Sequence, residues 1–193
     1  MNIAQAVKEY QDACGDKDNP PFYGILLQLI ERAYEEPLNN DSYFDALCLT
    51  HVMLDRSLFD VCILTGGGAE AFCNTLQRPF LAAAERLKQL GGKIRMIILN
   101  HDMPVQFLDE AKKKYPDVFD FILAKGPSGV RHFMVCDSRM LRLEEAHEKI
   151  SIVSLASTIH AQVYFNNPQL AKNQHALFDA VWDRFRGKKG AVQ

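Results

Sequence analysis

No disulfide framework is legible in this 193-residue sequence: its five cysteines (Cys14, Cys48, Cys62, Cys73 and Cys136) are odd in number, scattered, and set mostly among apolar residues. That is the pattern of reduced thiols in a cytoplasmic protein. No apolar run approaches the roughly 18 residues needed to cross a bilayer, and the first residues lack the basic-then-apolar order of a signal peptide. No membrane partner is expected. Neither sign of charge dominates, with 22 Lys and Arg against 24 Asp and Glu and a formal net charge of −2, which argues against a constitutive nucleic-acid binder. Motifs of familiar chemistry are equally scarce. The six histidines make no pair at i, i+4, no two cysteines stand as C-x-x-C, and neither a G-x-S-x-G elbow nor a P-loop lysine is present. Neither a metal nor a cofactor is expected.

What the sequence does carry is a well-marked order of elements. Phe59–Thr65 is short, apolar and β-branched, as a buried strand should be. Gly66-Gly67-Gly68 breaks it, Ala69–Leu90 has apolar residues at helical spacing, and Gly91-Gly92 is a helix stop before a second strand, Lys93–Leu99. That β-α-β unit predicts parallel strands with a right-handed crossover. Before it, Asn2–Cys14, Phe22–Glu35 and a segment capped by Asp41 or Ser42 and running to about Arg56 read as helices. After it come a helix at Val105–Tyr115, a strand at Phe119–Leu123, and a hairpin of Arg131–Asp137 and Met140–Leu143. Two more candidate strands, Ile150–Leu155 and Ala161–Phe165, precede a last helix capped by Asn167 and opened by Pro168. The expectation is an α/β fold: a mixed, mostly parallel sheet with helices on both faces, preceded by an N-terminal helical layer. Residues 1–56 form that layer, packed on a main domain of residues 57–187, with a disordered tail at 188–193.

Three places are candidates for binding or chemistry. Gly66, Gly67 and Gly68 with Ala71 fit G-x-G-x-x-A between a strand and a helix, where free N–H groups attract phosphate. Glu70 places a negative charge beside that site, and no acid follows at the expected strand end until Asp102. His101 and Asp102 lie just past the second strand, where open α/β sheets place ligands. Arg131 and His132, with Asp137, Arg139 and Arg142, make the third. A histidine near arginines can act as nucleophile or as acid and base, and the arginines can hold a phosphate. The bland reading is alternation, with His132, Met134 and Cys136 on one strand face and Arg131, Phe133 and Val135 on the other.

The order strand, glycine turn, helix ending in Gly91–Leu99, and hairpin over Arg131–Leu143 resembles one half of the phospholipase D superfamily. The ending Tyr164–Ala171 leading into Leu177–Trp182 is similar to that family's closing strand and helix, and the likeness spans roughly Phe59–Phe185. The family's chemistry rests on H-x-K-x4-D. With Asp137 as the aspartate, the histidine slot is Val130 and the lysine slot is His132; with His132 as nucleophile, the lysine slot is Met134 and the aspartate comes two residues early. The family's G-S-x-N is also missing around Ser154–Ser157. The resemblance therefore implies a non-catalytic regulatory or binding module. It would form a homodimer and bind a phosphate-bearing ligand or a protein partner, the apolar N-terminal helices being the expected surface for a protein partner. The alternatives are a phosphodiesterase or nuclease using His132 at a dimer interface, with Arg131 or Arg142 replacing the lysine, and a Rossmann-like nucleotide-binding enzyme using Gly66–Gly68.

Overall fold

A computed structural model describes residues 3–15, 19–66, 69–100, 105–146 and 159–189. The N-terminal part holds α1 (Ile3–Cys14), α2 (Tyr23–Glu31), β1 (Leu38–Asn40) and α3 (Tyr43–Arg56). The central part is β2 (Asp60–Thr65), α4 (Ala69–Thr75), α5 (Gln77–Leu90), β3 (Lys93–Leu99), α6 (Gln106–Lys114) and β4 (Phe119–Ala124). The chain closes with β5 (His132–Cys136), β6 (Met140–Glu144), β7 (Ala161–Tyr164) and α7 (Pro168–Lys189).

The seven strands make one sheet in the order β1-β7-β6-β5-β2-β3-β4. It is a mixed α/β sheet, as expected, but the balance of directions differs. Only β2–β3 and β3–β4 are parallel; β1–β7, β7–β6, β6–β5 and β5–β2 are antiparallel, so the sheet is mostly antiparallel. The reason is the hairpin. Asp137 (φ 55°) and Ser138 (φ 48°) are the central residues of a tight turn closed by Arg139 N–H to Cys136 O at 3.1 Å. Positive φ at both central positions is the geometry that matches strand twist. The turn is tied down by the Asp137 carboxylate, which accepts the N–H groups of Leu58, Phe59 and Asp60 at 2.9, 2.8 and 3.0 Å. β5 is thereby laid antiparallel against β2, and everything after it extends that side of the sheet.

The helix expected over Ala69–Leu90 is two helices, broken at Leu76 (φ −96°, ψ 17°). Pro79 explains the break. In a continuous helix its missing N–H would leave the carbonyl of Thr75 without a donor, whereas a restart at Gln77 puts Pro79 in a first turn, where no N–H is needed. The restarted helix ends on Gly91 in the left-handed conformation (φ 74°).

The two sheet faces are covered unequally. Val61, Ile63, Ile94 and Met96 face a large core shared with α1–α6, while Cys62, Leu64, Ile97 and Val135 face Ala171, Phe178 and Trp182 of α7. Inside the larger core, α3 is buried on all sides from Ala46 to Leu54, so it reads as apolar without a polar face. Its start is held by Ser42, whose hydroxyl accepts the N–H of Asp45 at 3.0 Å and donates to that residue's carboxylate at 2.7 Å. Tyr10 of α1 and His51 of α3 share a buried hydrogen bond of 2.8 Å, and Tyr23 of α2 donates to Asp55. These turn the polar tips of α1 and α2 inward onto α3. The candidate strand Ile150–Leu155 lies outside the described residues.

Candidate ligand cavity beside His132

The carboxyl end of β2 meets the start of β5 at Gly66 and His132. A Cβ on Gly66 would stand 2.8 Å from His132 Nε2, so glycine here lets the imidazole lie against the backbone. Across the hairpin His132 is in register with Glu144, and its Nδ1 is 3.9 Å from Glu144 Oε2. The same carboxylate oxygen accepts Arg142 Nη1 at 2.8 Å. Arg142 Nε in turn donates to Asn40 Oδ1 at 2.8 Å, and Asn40 Nδ2 donates to the Ser42 carbonyl. Arg142 and Glu144 are both 6% exposed. At that burial each charge offsets the desolvation of the other, and removing either one is costly.

His132, Arg142 and Glu144 line a cavity of about 50 Å³ between α3, β2, β5 and β6, room for a few ordered waters or a ligand of comparable size. Its α3 wall carries Tyr43 and Thr50, seven residues apart and so two turns along one helix face. Tyr43 is 7% and Thr50 is 1% exposed, and neither hydroxyl has a hydrogen-bond partner among the described residues. Burial holds the Tyr43 phenol well above its ordinary pKa, so it stays protonated and able to donate. Two buried hydroxyls without partners cost stability unless something fills the space between them.

No family model matches the sequence, and no curated protein matches it. Solved structures do. NucT from Helicobacter pylori superposes with a TM-score of 0.57 at 13% identity, over 77% of this chain and 96% of that one. Nuc from Salmonella typhimurium, a phospholipase D family member, gives 0.51 at 12% over 77% and 95%. The chain has a phospholipase D-like fold. TrmBL2, an archaeal chromatin protein, matches more of this chain, 94%, with a TM-score of 0.55 at 14% identity. This chain spans 64% of the TrmBL2 chain.

Within the phospholipase D-like fold the residues singled out from sequence separate. Gly66 and His132 are in contact at the cavity. Arg131 lines an adjoining cleft of about 510 Å³ that also holds Asp41, Glu145 and His160. Arg139 sits at the other end of β5, about 13 Å of strand away from His132 at ~3.3 Å per residue. Its backbone is engaged on both sides, N–H to Cys136 O and O to Asn167 N–H. Gly67, Gly68, His101 and Asp102 lie outside the described residues. Asn40, Tyr43, Thr50 and Glu144 were not among the sequence candidates. A signal did exist for two of them: Tyr43 and Thr50 are hydroxyl-bearing residues two turns apart on the mostly apolar helix α3. All five cysteines are free thiols, and Cys48, Cys62, Cys73 and Cys136 are buried.

Proposed function

We propose that this chain is a non-catalytic, ligand-binding module of phospholipase D-like fold whose ligand enters the cavity between α3, β2 and β5. The observation that carries the reading is the pair of buried hydroxyls, Tyr43 and Thr50, which have no hydrogen-bond partner among the described residues and lie beside the Arg142–Glu144 ion pair. Such a lining suits a small ligand with hydrogen-bond donors and acceptors and little net charge. It suits a phosphate less well. Arg142 is already engaged by Glu144 and Asn40, and Glu144 would repel an incoming anion. The same features speak for lost chemistry, because no lysine is among the described residues that line the cavity and a nucleophilic histidine needs cations on the departing phosphoryl oxygens. The homodimer implied by the resemblance belongs to the proposal; sedimentation of the full chain at one or two chain masses decides it.

The test is a thermal-shift panel of polyols, amides, zwitterions, inorganic phosphate and nucleotides on the wild type and on Tyr43→Phe/Thr50→Val. A stabilising compound whose effect disappears in the double variant is expected. Equal shifts in both proteins would overturn the assignment to this cavity. A phosphodiesterase is the second reading, favoured by the Glu144 carboxylate behind His132 Nδ1, which is where an orienting group would stand. Metal-independent turnover of an activated phosphodiester or of single-stranded DNA, abolished by His132→Ala, would replace the first reading with this one.

A further inference from the structure

At the amino end of β2, on the face covered by α7, four donor groups of metal-ligand type converge. Asp60 and Cys62 are two residues apart on β2 and so share a face; His175 and Asp179 are one helical turn apart on α7. His175 Nε2 lies 2.9 Å from Asp60 Oδ2 and 3.6 Å from Asp179 Oδ2, and Cys62 Sγ lies 3.2 Å from Asp60 Oδ2. Asp60, Cys62 and His175 present ligand atoms that all fall within 4.8 Å of one another. A tetrahedral zinc ion, with bonds of about 2.0–2.3 Å, sets its donors about 3.3–3.7 Å apart. The Asp60–His175 and Asp60–Cys62 donor pairs, at 2.9 and 3.2 Å, need to open by only a few tenths of an ångström, and the His175–Asp179 pair, at 3.6 Å, already fits. His175 is also oriented as a metal ligand is, since its other ring nitrogen, Nδ1, is hydrogen-bonded to Ser138 Oγ at 2.6 Å.

The position between these donors is filled by the tips of one guanidinium. Arg95 Nη2 is 3.2 Å from Asp60 Oδ2, 3.3 Å from Cys62 Sγ and 3.1 Å from His175 Nε2, while Nη1 is 2.8 Å from Asp179 Oδ1. The fit is imperfect, because Arg95 Nε is buried with no hydrogen-bond partner among the described residues. Beside it a cleft of about 630 Å³, lined by Arg95, Asp117 and Asp183 among others, offers the side chain a place to swing into.

We infer that Asp60, Cys62, His175 and Asp179 form a latent site for a divalent d-block cation, zinc being the best match, and that Arg95 occupies it in the metal-free protein. The mixed thiolate, imidazole and carboxylate set selects against magnesium and calcium, which take all-oxygen shells. Binding is an exchange. The cation enters, the Arg95 guanidinium leaves as an intact cation, and Cys62 releases its thiol proton to solvent as Sγ bonds to the metal. Burial and the neighbouring Asp60 carboxylate hold that thiol well above its ordinary pKa until the metal arrives. Because two ligands are on the sheet and two on α7, the cation would clamp the helix that covers this face.

The test uses the full chain, stripped with a chelator and titrated with Co²⁺. One equivalent should produce a thiolate-to-cobalt charge-transfer band, and Zn²⁺ should displace it. Cys62→Ser should abolish the band, and Ser138→Ala should weaken binding about tenfold. Arg95→Met, which removes the competing cation, should tighten it by at least about tenfold. A band that survives Cys62→Ser, or no band in the wild type at millimolar cobalt, overturns the proposal. These two titrations decide the matter even if Arg95→Met does not fold.

Discussion

The two ends of β2 carry opposite kinds of polar imbalance. At the carboxyl end, on the face of α3, Tyr43 and Thr50 have hydroxyls without a hydrogen-bond partner among the described residues, beside the Arg142–Glu144 ion pair. At the amino end, on the face of α7, four acceptor-type groups crowd the tips of a single guanidinium. Counting polar residues does not separate the two regions. The mismatch between donors and acceptors does: the ligand proposed for the first would supply missing partners, and the cation proposed for the second would replace one already there. The first is also the more buried, with Arg142 and Glu144 at 6% exposure, whereas the Asp179 side chain is 48% exposed and reaches solvent.

That contrast is open to experiment, most strongly at its more buried end. Arg142→Ala leaves Glu144 buried without its cation, and urea denaturation should register a loss of about 3–5 kcal/mol; the paired change Arg142→Met/Glu144→Leu should recover most of it. Gly66→Ala, which forces a methyl group towards the His132 ring, should cost about 1–3 kcal/mol in the same measurement and remove ligand-induced thermal shifts. Asp60→Asn acts at the more open end, where water and Asp179 share the load on Arg95. A loss of only about 1–2 kcal/mol is expected there, shrinking as salt is raised. The smallest effect should come from Tyr43→Phe, within about 0.5 kcal/mol of wild type or slightly stabilising, because it removes a hydroxyl that had no partner. A large loss from Tyr43→Phe would mean that its hydroxyl is bonded in the free protein, and the contrast would fail.

Local pattern carried most of the architecture. The alternation in Lys93–Leu99, the Ser42 cap and the Asn167–Pro168 start all mark elements that the structure contains. So does the two-fold alternation around His132, where Met134 and Cys136 face one core and Phe133 and Val135 the other. What local pattern could not carry was decided between distant segments. The antiparallel bias depends on Asp137 reaching the backbone of Leu58–Asp60. Three residues at Leu38–Asn40 are too few for periodicity to speak, yet they pair with β7. The break at Leu76 was legible in Pro79 and was masked by the apolar spacing on either side of it. Of the candidate site, Gly66 and His132 were visible as a glycine turn and a strand histidine. Tyr43, Thr50 and Asn40 join them only because α3 and β1 pack against that end of the sheet. The Arg95 cluster has no local signature, since its strand and helix halves meet only in three dimensions.

The pairing of β1 with β7, Leu38 against Val163 and Asn40 against Ala161, has a consequence for how the chain is made. Asn40 also steadies Arg142, so the floor of the cavity awaits a strand translated more than a hundred residues after β1. During synthesis, β1 must remain in the growing chain without its strand partner until Ala161–Tyr164 leaves the ribosome. Long-range closures of that kind are slow and aggregation-prone. A fragment ending before residue 161 would present β6 as a bare sheet edge, open to pairing with another chain.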